Sequence, residues 1–480
     1  MDSLTSIGFG SYRIDNRIEE HFNSLKKAID SGISTIDTSA NYSDGRSEIL
    51  IGNILNDLVK NGDMNREDIF LITKGGYMQG NNYHFALKKK EQGIPFPDVV
   101  EFDKGLWHCI HPDYLEDQIN RQLYRLDQVD EGYIDVYLLH NPEYFLKYAR
   151  KNAYDKKESQ EKYYNRIKSA FEFLEKKVEE GKIRHYGISS NTFPEKSMAF
   201  DFTSLEELLF IAEKISRYHH FKYIQLPFNL IESGAYFEKN LRGNTKTVIE
   251  YANEHDFKVI INRPLNAITE KGLVRLADFK AEPFNKEELL KFLEVVSSME
   301  EDFLAGAESN LFLDPEDFRL LKANFNFSDM LKNNWDRFGS IEHLNDYIEF
   351  SFSYRIHGLM DFFDEKVKDE YFVSQFEKYI KFVFKVLNLI TNYYKEKADI
   401  RSKYLHTVID KHLEKEFHHL TLSQKAILVL NSVPGVDCVL VGARKESYVE
   451  DVLPILRSKK TKHYDKILST IKEEVLNELE

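Results

Sequence analysis

Two hydrophobic periods alternate along the first half of the chain. Short apolar and β-branched runs at residues 6–9, 34–37, 69–73, 134–139, 185–189, 223–226 and 258–262 read as strands. Between them lie longer amphipathic stretches, as at 165–180, where Ile167, Ala170, Phe171 and Leu174 recur at helical spacing with charges between them. An eighth β-rich run, 437–441, follows only after a long gap. Eight strands alternating with helices predict a parallel sheet, and eight is the number that closes a (β/α)8 TIM barrel.

Two stretches break the rhythm. Residues 76–111 are a polar passage with the run Lys88, Lys89, Lys90, and they read as an extended, solvated loop after the third strand. Residues 266–419 read as an all-helical insertion, with Leu289, Leu293 and Val296, then Phe372, Phe376, Ile380 and Val383, at a period of about 3.6. The expected division is therefore a barrel of residues 1–265 and 420–480, with the helical block 266–419 leaving the seventh strand. Loops at the C-terminal ends of barrel strands surround the mouth. The block is expected to pack over that mouth and wall a substrate pocket, or else to face outward as an oligomer contact. Nothing in the sequence sets the oligomeric state.

Charge and composition narrow the partners. The 480 residues carry 65 Lys and Arg against 79 Asp and Glu, a formal net charge of −14. That balance gives no electrostatic footprint for nucleic acid or an anionic membrane. No apolar run reaches the roughly 18 residues that a spanning helix needs. The first residues lack a signal-peptide pattern. The two cysteines, Cys109 and Cys438, make no disulfide framework, so a cytoplasmic location is expected. The cluster Trp107-His108-Cys109-Ile110-His111 lacks paired ligand spacing, and no metal is expected.

The chemistry-bearing residues fall at strand ends. Asp37 closes the second run and Tyr42 follows five residues later; Lys74 closes the third and His140 the fourth. Taken singly, Asp37 is a helix cap or turn former, Lys74 a turn residue and His140 a strand-end histidine. Together they place a carboxylate, a phenol, an ammonium and an imidazole on one rim, a set suited to proton transfer at a carbonyl oxygen. The ammonium is expected to lower the Tyr42 pKa toward working pH, with Asp37 orienting Lys74. Gly8-Phe9-Gly10 lacks the third glycine of a dinucleotide fingerprint, and Gly75-Gly76 with Gly80 lacks the Lys-Ser/Thr of a phosphate loop.

The stretch 32–48, Gly-Ile-Ser-Thr-Ile-Asp-Thr-Ser-Ala-Asn-Tyr-Ser-Asp-Gly-Arg-Ser-Glu, with Thr73-Lys74-Gly75 and the run from Ile134 to His140, resembles the aldo-keto reductase superfamily over roughly 1–75, 112–265 and 420–455. The resemblance implies a (β/α)8 barrel binding a nicotinamide dinucleotide, with Asp37, Tyr42, Lys74 and His140 as catalytic tetrad and Tyr42 as proton donor. It implies cofactor contacts at Gly10, Ser189, Ser190, Gln225, Gly442 and Arg444. Arg444 stands where relatives meet the adenosine 2′-phosphate, which favours NADP over NAD; its alternative is a surface ion pair. Asn262-Arg263-Pro264-Leu265 replaces the usual aromatic-Ser-Pro-Leu. Arg263 then reaches either the cofactor pyrophosphate or a carboxylate of the insertion. Reduction of an aldehyde or ketone, sugars included, is the implied activity. The rival is a non-catalytic nucleotide-sensing subunit on the same barrel.

Overall fold

Eight parallel strands close on themselves in sequence order: β1 (Ile7–Gly10), β2 (Thr35–Asp37), β3 (Phe70–Gly75), β4 (Ile134–His140), β5 (Ile183–Ser189), β6 (Phe221–Pro227), β7 (Lys258–Asn262) and β8 (Cys438–Gly442). β8 completes the ring by pairing with both β7 and β1. These strands belong to a computed structural model that describes residues 4–126, 132–269 and 272–475. Each expected strand lies within two residues of the observed one, because strands covered on both faces are written as continuous apolar runs. All seven residues of β4 are buried.

Strand parity then positions the chemistry. The barrel interior is filled by Phe70 and Ile72 of β3, Val136 and Leu138 of β4, Tyr223 of β6, Ile260 of β7 and Cys438 and Leu440 of β8. Side chains alternate across a strand, so the next inward residue toward the C-terminal rim is two further on. That residue is Lys74 on β3, His140 on β4, Gln225 on β6 and Asn262 on β7. By the same step Thr35 on β2 leads to Asp37. The apolar floor and the polar rim are one pattern.

The passage after β3 is an ordered element, not the expected solvated loop. Strands Tyr77–Met78, Leu106–His108 and Val100–Asp103 form a three-stranded antiparallel sheet in that order, joined through the helix Gly80–Glu91. The Lys88–Lys90 run is the last turn of that helix, where cations meet the negative end of the helix dipole. Lys89 Nζ lies 4.8 Å from the centre of the Phe96 ring, and Lys90 pairs with Glu101.

The chain divides into two compact units, one built from Met1–Leu265 with Lys411–Glu473, the other from Asn266–Asp410. The second unit opens with a hairpin, Asn266–Thr269 and Gly272–Arg275, where only helix was expected. Helices including Lys286–Asn310, Phe327–Lys332, Ser353–Lys366 and the long Glu370–Asp410 follow. Their shared core is aromatic: the rings of Phe363 and Phe376 stack at 4.0 Å. Buried Glu300 ties three of these helices together, accepting hydrogen bonds from the Ser328 amide and hydroxyl and from the Tyr379 hydroxyl. No described helix is long and apolar enough to cross a membrane.

Candidate active site

Asp37, Tyr42, Lys74 and His140 converge at the C-terminal rim of β2, β3 and β4. Lys74, wholly buried, donates from Nζ to Asp37 Oδ2 at 2.6 Å, to the Thr38 carbonyl at 2.8 Å and to the Tyr42 hydroxyl at 3.3 Å. Gln225 Nε2 holds the other carboxylate oxygen of Asp37 at 2.8 Å. The rings of Tyr42 and His140 stand edge to face with centres 6.0 Å apart. Tyr12 covers Tyr42 from one side at 5.1 Å, and Tyr77 abuts His140 at 4.7 Å.

Burial sets the protonation states. It pushes Lys74 down and Asp37 up, and their short ion pair opposes both shifts. Tyr42 is half-buried as a residue, but its hydroxyl lies against buried Lys74. Desolvation, followed by the Asp37 charge, raises it well above the ordinary tyrosine value. This reverses the expected lowering: the Lys74 charge is largely spent on Asp37, so loss of water dominates. His140 is held well below the usual histidine range by burial, then by Lys74 and His108, and is therefore neutral.

Further residues reach this rim that were not singled out for it in the sequence. Ser39 Oγ lies 2.9 Å from His140 Nδ1. The His108 ring, from the antiparallel sheet, donates from Nε2 to the His140 carbonyl at 2.7 Å. Gly76 permits that approach, since a Cβ there would come within 2.7 Å of His108 Nε2 and 2.8 Å of the His140 oxygen. The Asn141 amide donates to the Tyr77 hydroxyl at 2.9 Å.

The residues expected around a dinucleotide separate into two groups. Ser189 Oγ donates to Gln225 Oε1 at 3.0 Å, and Asn262 Nδ2 donates to the same oxygen at 3.3 Å. Asn262 Oδ1 is buried without a hydrogen-bond partner. Gly10 and Gly442 are register partners at the rim of β1 and β8, next to Arg444, which is exposed and in no ion pair among the described residues. Ser190 and Arg263 point elsewhere. The Ser190 hydroxyl is tied to Thr192 at 3.1 Å and Thr203 at 3.3 Å. Arg263, at φ 54°, pairs with Glu232 at 2.9 Å, a carboxylate of the loop after β6 and not of the insertion.

A nicotinamide dinucleotide fits this donor set. An orphaned buried acceptor, Asn262 Oδ1, beside Ser189 and Gln225 suits an amide N–H, and an unpaired guanidinium at the rim suits a phosphate. Burial pushes the Cys109 thiol up to about 12, which disfavours the reactive thiolate.

The sequence model of the aldo/keto reductase family matches residues 6–307, more than half of the chain. No curated protein matches. Similar solved structures include the glycerol dehydrogenase of Gluconobacter oxydans, at 16% identity over 99% of this chain and 94% of that one, with a TM-score of 0.48. An aldo-keto reductase of Bacillus halodurans in its holo form is similar at 15% identity over 98% and 91%, with a TM-score of 0.46. An aldo/keto reductase of Klebsiella pneumoniae in complex with NADP and acetate is similar at 14% over 97% and 90%, with a TM-score of 0.44.

Proposed function

Because the chain belongs to the aldo/keto reductase family, we propose that it is an NADP-dependent oxidoreductase that reduces an aldehyde or ketone, with Tyr42 as proton donor. The observation that carries this reading is the buried Asp37–Lys74–Tyr42 contact set beside a neutral His140. Bound NADPH supplies the hydride. Tyr42 holds the proton that the substrate oxygen needs as negative charge develops there, and its raised pKa keeps it protonated at neutral pH. Lys74 donates to the Tyr42 oxygen and stabilises the phenolate that remains after transfer, while Asp37 and Gln225 hold Lys74 in place. His140 presents its second ring nitrogen to the same carbonyl and orients it.

On this reading Ser189, Gln225 and Asn262 hold the nicotinamide amide, and Arg444 beside Gly442 and Gly10 meets the 2′-phosphate. The rings of Tyr12 and Tyr77 flank the tetrad. They suit a substrate with an apolar face, from aromatic aldehydes to the C–H face of a sugar.

The test is a fluorescence titration with NADPH followed by a panel of aldehydes, ketones and sugars. Tyr42→Phe should keep NADPH binding and lower turnover of the best substrate about a hundredfold or more, the worth of a positioned general acid. Unchanged turnover in that variant sinks the assignment. A chain that binds NADPH yet turns over no carbonyl is the nucleotide-sensing subunit instead.

A further inference from the structure

Two consecutive residues at the end of β7 carry buried polar atoms without a hydrogen-bond partner among the described residues. Asn262 Oδ1 is a bare acceptor and Arg263 Nε a bare donor. Most buried polar atoms are paired, so each of these asks for a partner. Arg263 also holds φ at 54°, a left-handed conformation that residues with side chains seldom adopt and that gathers at ligand-binding positions. It stands where the family's usual residue is serine, so the guanidinium is a feature of this chain.

The guanidinium has a rigid backing. Asn229, wholly buried, accepts from the Ile231 and Glu232 amides through Oδ1 at 3.0 and 2.7 Å. From Nδ2 it donates to the Arg263 carbonyl at 3.2 Å and to Glu232 Oε2 at 2.9 Å. Backbone amides only donate and a carbonyl only accepts, so this orientation of the Asn229 amide is fixed. Glu232, held in this way at one oxygen, takes Arg263 Nη2 on the other at 2.9 Å. A guanidinium offers its N–H groups as a planar fork. Glu232 occupies one tip of it and leaves Nε unspent.

Phosphate sites in (β/α)8 barrels commonly lie in the loops after the seventh and eighth strands. Arg263 follows β7 and Arg444 follows β8, and these two strands pair with each other. In a nicotinamide dinucleotide the diphosphate lies between the nicotinamide and the adenosine, so its partner belongs neither with Ser189, Gln225 and Asn262 nor with Arg444. We propose that Arg263 binds the diphosphate of the dinucleotide through its Nε edge, and that Glu232 is a positioning residue that, with Asn229, holds the guanidinium for it. This assignment rests on the NADP-dependent reading, which supplies the diphosphate. Arg444 then chooses between the two nucleotides, whereas Arg263 grips what they share.

The experiment is calorimetric titration of the full chain with NADPH, NADH, ADP-ribose and adenosine 2′-monophosphate. Arg263→Met should weaken NADPH, NADH and ADP-ribose by the same factor, about tenfold or more, the worth of a charge-assisted contact. Adenosine 2′-monophosphate, which has no diphosphate, should bind that variant unchanged, and this also shows that the variant is folded. Arg263→Lys keeps the charge without the fork and should recover only part of the loss. Glu232→Ala should weaken the same three ligands about threefold or more in the natural background and not at all in Arg263→Met, because a positioning residue has no effect once its target is gone. Unchanged affinity of Arg263→Met for NADH and ADP-ribose overturns the assignment. So does a Glu232→Ala loss that persists in Arg263→Met, which would make Glu232 structural, or a gain in affinity, which would make it a competitor. These readouts need no turnover. A chain that grips dinucleotides through Arg263 and reduces no carbonyl would fail the functional reading alone, and an active reductase indifferent to Arg263→Met would fail this assignment alone.

Discussion

A phenol in water loses its proton near pH 10, and an isolated ammonium beside it would bring that value down. Tyr42 does the opposite because Lys74 is already paired with Asp37 at 2.6 Å, leaving burial to dominate. Composition reveals the groups but not the pairing that cancels their charges, so the direction of this shift was not legible in the sequence. The residue types were, because Asp37, Lys74 and His140 end inward-facing strand positions. Ser39 was not: it meets its partner His140 at a separation of 101 residues. Arg444 carries the cofactor prediction at this scale. Arg444→Ala should weaken NADPH more than NADH by about 1.5–3 kcal/mol, the range for a charge-assisted contact. Isothermal titration with both nucleotides checks it, and an equal loss would place Arg444 away from the 2′-phosphate.

At the scale of elements, strands buried on both faces were readable within two residues, since their apolar runs are continuous. The antiparallel sheet after β3 was not readable. Its strands are two to four residues long, and the outer one, Val100–Asp103, alternates with charge. One of the contacts that tie that sheet to the barrel is made by a neutral imidazole. Burial lowers His108 from 6.5 to about 4, against the bond to the His140 carbonyl, which raises it. An unfolded chain therefore binds a proton at His108 before the folded one does, and stability falls as pH drops from 6.5 toward 4. Between near-neutral pH and about pH 5 the loss from this group should be about 2 kcal/mol. His108→Gln keeps an N–H donor but cannot titrate. Denaturant midpoints at the two pH values should show a smaller acid loss in the variant, and an identical loss would mean that other groups govern this range.

On the scale of the whole molecule, all eight barrel strands and every proposed cofactor contact belong to the unit of Met1–Leu265 and Lys411–Glu473. Replacing Asn266–Asp410 by a short linker should leave a barrel that unfolds cooperatively and still binds NADPH, as followed by calorimetry and cofactor fluorescence. Loss of cooperative unfolding would show that the barrel needs the helical unit to fold. In the sequence, the gap between the seventh and eighth β-rich runs was the signal from which a separate helical block was expected. It did not reveal where the division ends, since residues 411–419 continue the helical pattern yet group with the barrel. The order of strands also has a consequence for synthesis. β8 is the strand that pairs with both β7 and β1, and it leaves the ribosome about 175 residues after β7. At ribosomal rates that interval is roughly 10–35 s. Through it, seven strands form an open sheet whose two edges, β1 and β7, each offer unpaired backbone to any passing strand. The nascent chain therefore spends its most aggregation-prone moments waiting for its last strand while the helical unit is being made.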